Sequence, residues 1–144
     1  MPPGTRFEEA TQMLQGGCYC GRIRYEVTGT PFNETNCHCS ICRRTTGAPF
    51  VAWFSVRPSE FRRLSGDPTS FRSSRKAVRT FCPHCGTQLT FQSEDSPEEI
   101  DVTTCSLDDP DAVPAKDHSR TSSKLRWIVL GDGLPVYRES RLEG

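Results

Sequence analysis

The chain reads as a mostly β domain of short antiparallel strands in which metal knuckles take the place of part of the core. Glycine and proline contribute 11 residues each, and hydrophobic residues make up 34% of the chain. That balance favours many turns and short strands over a helical bundle. Apolar residues alternate, or run in short blocks, between turn signals. Eight cysteines are present, and seven of them fall into tight groups at 18/20, 37/39/42 and 82/85. At 144 residues the chain is long enough for one domain with a modest core. We expect a lead-in over residues 1–14, the domain over 15–138 and a tail over 139–144.

Pro2-Pro3-Gly4 opens the polar lead-in, and Gly16-Gly17 predicts a sharp turn into the first cysteine pair. Ile23, Tyr25 and Val27 alternate with Arg22, Arg24 and Glu26, the pattern of a half-buried strand, which Gly29-Thr30-Pro31 ends. Residues 36–47 read as a loop entering a helical turn at Ser40–Arg44, stopped by Gly47-Ala48-Pro49. Phe50–Val56 is an apolar run expected to be a strand buried on both faces, with Phe50, Trp53 and Phe54 as core. Strands are expected at 60–64, 69–72, 77–81, 88–92 and 100–104. Ser106–Pro110 reads as a turn capped by the Ser106 hydroxyl, residues 111–123 as irregular, and Leu125–Leu130 as a last buried segment.

The cysteines carry the chemistry. Tetrahedral zinc takes four soft ligands, and closely spaced thiolates reach one metal at about 2.3 Å. Cys18 and Cys20, with Cys82 and Cys85, supply a closed four-cysteine site. Cys37, Cys39 and Cys42 have no fourth cysteine beside them. Three protein ligands with one open position is the arrangement of a catalytic zinc. Two zinc ions per chain are therefore expected.

Formal net charge is zero and the pI is about 6.8, which leaves no global attraction to nucleic acid or to an anionic membrane. The charge is uneven, however. Residues 43–79 hold nine basic groups against Glu60 and Asp67, and residues 94–111 hold eight acids and no base. This pattern fits either balanced solvated faces or a basic wall for a small anion. The first residues lack an apolar signal-peptide core, and no run is long enough to span a bilayer. Together with clustered thiols, this predicts a reduced, cytoplasmic protein.

Four segments, Gly16–Tyr25, Cys37-His38-Cys39-Ser40-Ile41-Cys42-Arg43-Arg44 with Gly47, Phe81–Thr87 and Ser106–Pro110, resemble the glutathione-dependent formaldehyde-activating enzyme (GFA) family, which includes the centromere protein V type of domain. The resemblance continues through His118, Lys124 and Trp127 to Asp132–Pro135 and spans roughly residues 14–137. It implies a β-tent, Mss4-like fold with a structural zinc on Cys18, Cys20, Cys82 and Cys85 and a catalytic zinc on Cys37, Cys39 and Cys42. It also implies a carbon–sulfur lyase activity run towards synthesis, in which glutathione and formaldehyde give S-(hydroxymethyl)glutathione.

His38 and His118 are acid–base candidates by residue type, and Arg43 and Arg44 are candidates for the glutathione carboxylates. His84 reads as exposed. Cys105 stands where the family usually has a small residue. It reads either as a buried thiol or as a fourth ligand closing the open site. The alternative function is a non-catalytic, zinc-stabilised module that binds a protein or nucleic acid through the basic stretch 57–79, with Phe61 and Phe71 interleaved. A third possibility, a dithiol redox protein using Cys82 and Cys85, lacks the surrounding βαβ pattern. A small thiol and an aldehyde are the expected partners.

Overall fold

Phe50–Val56 was expected to be a strand buried on both faces; Val51–Val56 is one, around two separate clusters, while Phe50 precedes it, half-buried against His38 rather than in either cluster. In the computed structural model, which describes residues 13–140, strand β4 (Val51–Val56) sends Phe54 and Val56 into the main core. Its other face sends Val51 and Trp53 to a smaller cluster with Cys42. A period of two puts successive side chains on opposite faces, so one apolar run serves both clusters.

β4 lies inside a seven-stranded sheet. The strand order is β10 (His118–Ser119), β3 (Phe32–Cys37), β4, β9 (Ile100–Thr103), β8 (Gln88–Ser93), β7 (Ala77–Phe81) and β6 (Thr69–Ser74). A three-stranded sheet, β1 (Leu14–Gly17), β2 (Arg24–Val27) and β5 (Phe61–Ser65), completes the fold. Every strand pairing is antiparallel except β10 on β3. The mostly β, antiparallel architecture expected from the sequence is what forms. The main core joins Ile23, Tyr25 and Val27 to Phe54, Val56, Leu89, Ile100 and Val102, and Tyr25 stacks on Phe61 with 5.1 Å between ring centroids.

Several local expectations are overturned. Gly16 lies within β1, paired with Tyr25, and does not form a turn. A Cβ there would stand 2.5 Å from both the Ser106 carbonyl oxygen and the Tyr25 hydroxyl, so close approach is what requires glycine. β3, with the sequence FNETNC, has no apolar period; it forms because β4 and β10 pair with its two edges. The Ser106 hydroxyl donates to the Thr103 carbonyl at 2.8 Å and meets the Tyr25 hydroxyl at 2.5 Å, so it locks a 3₁₀ turn to the core and caps nothing.

Leu125–Leu130 forms neither strand nor helix, and Trp127 and Val129 are 69% and 88% exposed. Lys124 Nζ binds the Leu125 and Ile128 carbonyls at 3.0 and 2.6 Å and folds the segment into a turn, while Val136 takes the bridge to His118. Residues 1–12 of the expected lead-in and 141–144 of the expected tail lie outside the described residues.

Candidate metal centres

Cys18 and Cys20 sit in the turn between β1 and β2, and Cys82 and Cys85 sit in the turn between β7 and β8. The second turn is a knuckle in which Cys82 N donates to the Thr87 carbonyl and Gly86 N donates to the Cys82 carbonyl. Gly86 holds the expected positive φ, 82°. Tyr19 N donates to Thr87 Oγ1 at 3.0 Å and ties the two turns together. The four sulfurs lie within 4.8 Å of one another, and all eight cysteines are free. The Cys18–Cys20 and Cys20–Cys82 sulfur separations of 3.5 and 3.8 Å are far beyond a disulfide and match the roughly 3.8 Å edge of a tetrahedron with 2.3 Å bonds. Backbone N–H groups point at sulfur, from Ile23 to Cys18 at 3.3 Å and from His84 to Cys82 at 3.4 Å. The Thr87 hydroxyl and N–H push the Cys85 thiol down to about 5. This donor set fits a thiolate-bound cation.

The second cluster is built by a strand end and a helix start. Cys37 closes β3, and Cys39 is the N-cap of α1 (Ser40–Thr46), its sulfur accepting from Cys42 N at 3.2 Å. Cys42 is buried in the first turn of that helix, and Gly47, at φ 71°, ends it. The Cys37, Cys39 and Cys42 sulfurs also lie within 4.8 Å of one another. Contacts with the Cys37 and Cys42 thiols pull Cys39 well below its ordinary value, and contacts with Cys39 and Cys42 push Cys37 up. Sulfurs that must share protons in this way fit a divalent cation that takes them all as thiolates. Cys105 belongs to neither cluster. It is exposed, so it is neither the buried thiol nor the closing ligand that the sequence suggested.

The three sulfurs open on a cavity of about 490 Å³. Its floor is one face of the large sheet. Cross-strand pairing sets Ser55, Asp101, Phe91 and Arg79 in a row over β4, β9, β8 and β7, with Trp53 and Thr35 in the next row. Lys76, with Asp95, and Arg120, with Glu139, are further cavity-lining ion pairs, at 3.2 and 3.4 Å. Burial pushes the Asp101 carboxyl up to about 6, against the opposing pull of its 2.6 Å hydrogen bond from Ser55. Arg79 and Asp101 were read from sequence only as charges within the basic and acidic stretches. The available signal was strand parity, which puts Arg79 on the same face as Ala77 and Phe81.

The other sequence candidates stand elsewhere. Arg43 Nη1 donates to the Ser123 carbonyl at 3.2 Å and Arg44 is exposed; neither lines the cavity. His38 and His118 are 0% and 1% exposed and are also absent from the lining. They form a chain instead: His118 Nε2 donates to Asp132 Oδ2 at 2.7 Å, and its Nδ1 shares a hydrogen bond with His38 Nε2 at 2.9 Å. Burial, with His118 and Lys124 nearby, pushes His38 down to about 4. His38 N also donates to the Ser119 carbonyl, so β10 and the histidine pair together hold the cysteine loop. His84 is exposed, as expected.

The family profile described as glutathione-dependent formaldehyde-activating enzyme matches residues 13–123. The chain belongs to this family. A Halomonas elongata protein, provisionally named a glutathione-dependent formaldehyde-activating enzyme, is 26% identical over 127 residues, covering 82% of this chain and 81% of that one. An uncharacterized lyase of Schizosaccharomyces pombe is 32% identical over 77 residues, covering 54% of this chain and 56% of its own length. The crystal structure of a Rhodobacter sphaeroides protein, a structural genomics target, aligns with a TM-score of 0.56 at 24% identity, over 85% of this chain and 98% of that one. That likeness shows a shared fold alone. No helix among the described residues is long and apolar enough to cross a membrane.

Proposed function

We propose that this GFA-family chain is a zinc-dependent carbon–sulfur lyase that joins a small thiol to an aldehyde, with glutathione and formaldehyde as the pair. One observation carries the reading: a three-cysteine cluster opens on a cavity lined by cationic and polar groups. The second, four-cysteine cluster is read as the structural site. A zinc ion on Cys37, Cys39 and Cys42 supplies a Lewis acid that favours the thiolate form of a thiol at neutral pH. In the reaction a thiolate sulfur adds to the aldehyde carbon, the C–S bond forms, and the carbonyl π pair moves to oxygen, which takes a proton; the reverse step cleaves C–S.

The chain's own residues orient and protonate. Trp53 and Phe91 give the tripeptide an apolar wall, while Lys76 and Arg120 exchange their internal carboxylate partners for those of glutathione. Asp101, raised to about 6, is mostly ionised at pH 7 but takes up and releases a proton close to neutrality, and in the same cavity it is the group placed to pass one to the new hydroxyl. His38 and His118 hold the ligand loop from behind.

Exchange spectroscopy with ¹³C-formaldehyde and glutathione tests the reading. Metal-loaded protein should speed interconversion of free and adduct carbon well above the spontaneous rate, and an unchanged rate would refute it.

Asp101→Asn separates stability from activity. The native carboxyl titrates near 6 against an ordinary value of 3.8. Between those values the folded state binds more protons than the unfolded one, so stability declines as pH rises through the window. Asn keeps the Ser55 contact without the buried charge. Denaturant unfolding should find the variant more stable than the parent by on the order of 2 kcal/mol at pH 7, with the difference vanishing near pH 4. Adduct formation should fall by roughly 10²-fold or more.

A further inference from the structure

Arg79 is 3% exposed, and its guanidinium carries a full charge into the wall between the large sheet and α1. Burying a cation is costly unless an anion accompanies it. Among the described residues no carboxylate lies within ion-pair distance of Arg79, and its Nε is buried without a hydrogen-bond partner. Its contacts are sulfur and hydroxyl: Nη2 reaches Cys42 Sγ at 3.5 Å and Nη1 reaches Thr45 Oγ1 at 3.4 Å, both on α1. Stacking fixes the plane, with the guanidinium carbon 4.9 Å from the Phe91 ring centroid and 5.7 Å from that of Trp53. Asp101, in the same cross-strand row, acts on it only through space.

We propose that Arg79 is the counter-ion of the three-cysteine centre and the residue that quenches Cys42 as a nucleophile, so that a thiol entering the cavity is the reactive sulfur. The inference rests on the reading of Cys37, Cys39 and Cys42 as a metal centre. A sulfur that accepts an N–H from a cation gives up electron density to it and attacks carbon more slowly. The N–H that Cys39 Sγ accepts is a neutral backbone one, from Cys42, while the Arg79 charge reaches it only through space. An incoming thiol brings a sulfur that neither of these contacts already engages, and it is the more nucleophilic one. Arg79 touches a ligand and not the reacting atoms, which makes it a positioning residue. Lysine is a poor substitute, because a compact ammonium cannot span Cys42 and Thr45 while lying flat on Phe91.

The test compares the parent with Arg79→Met and Arg79→Lys on two readouts independent of turnover. The first is competition of a chelator for the second metal. The second is peptide mapping of Cys37, Cys39 and Cys42 after brief iodoacetamide treatment at saturating zinc. Arg79→Met should hold the second metal about tenfold less tightly, and alkylation of Cys42 relative to Cys39 should rise several-fold; Arg79→Lys should fall between the two. Retention of the first metal by the four-cysteine site reports that each variant is folded. Unchanged competition and an unchanged alkylation ratio would overturn the role of Arg79 alone. A parent protein that holds only one metal would overturn the metal-centre reading and this inference with it.

Discussion

Cys39→Ser should lower metal content from two ions per chain to one and leave the fold in place. Cys39 is both a proposed ligand and the N-cap of α1, its sulfur accepting from Cys42 N. Serine is among the best N-cap residues, so the helix keeps its cap. The hard hydroxyl is a poor replacement for a zinc thiolate, so the substitution removes the ligand and little else. Loss of an outer-shell partner typically costs 10–100-fold in metal affinity or activity. Loss of a direct ligand should cost more, on the order of 100-fold or beyond in adduct formation. Elemental analysis, a thermal melt and the formaldehyde exchange assay check the three parts. Two ions retained with full activity would remove Cys39 from the site.

Cys82→Ser should do the opposite: destabilise the whole domain and release both ions. Cys82 is fully buried in the main core, and its cluster joins the β1–β2 turn to the β7–β8 turn. That link closes a long loop between the two sheets, beside the Tyr19–Thr87 hydrogen bond. Structural zinc contributes folding free energy directly, about 10–16 kcal/mol in small zinc peptides. A domain of ordinary stability has only about 5–15 kcal/mol in total. The variant should therefore show no cooperative melt at 25 °C or above, and no bound metal. A melting temperature within a few degrees of the parent would mean that the four-cysteine cluster carries no structural load.

The contrast between these variants follows from cysteine spacing, which was the most legible feature of the chain. Ligand pairs one or two residues apart declare themselves locally, because the backbone between them must turn on one centre. Strands with a clear period, such as Ile23-Tyr25-Val27 and the two-faced Val51–Val56 run, were legible for the same reason: burial alternates with residue number. β3 was not, since its polar residues form a strand only through neighbours on both edges. Leu125–Leu130 misled in the other direction. Its apolar content suggested burial, but Lys124 folds it into a turn with Trp127 and Val129 exposed.

The cavity lay further out of reach. Arg43 and Arg44 were attractive because they follow Cys42, yet the helix carries them away from the cavity lining, and the cation beside Cys42 comes from β7. The sequence by itself determined the mostly β class, the division of seven cysteines into four and three, and the family, because each rests on residues close together in the chain or on an ordered set of short motifs. Only the tertiary structure decided which charges meet the sulfurs, that the two histidines back the cysteine loop, and that Cys105 stands apart. Those outcomes depend on strand order and cross-strand register, which bring residues such as Ser55, Phe91, Asp101 and Arg79 into one row through pairings that no local pattern encodes.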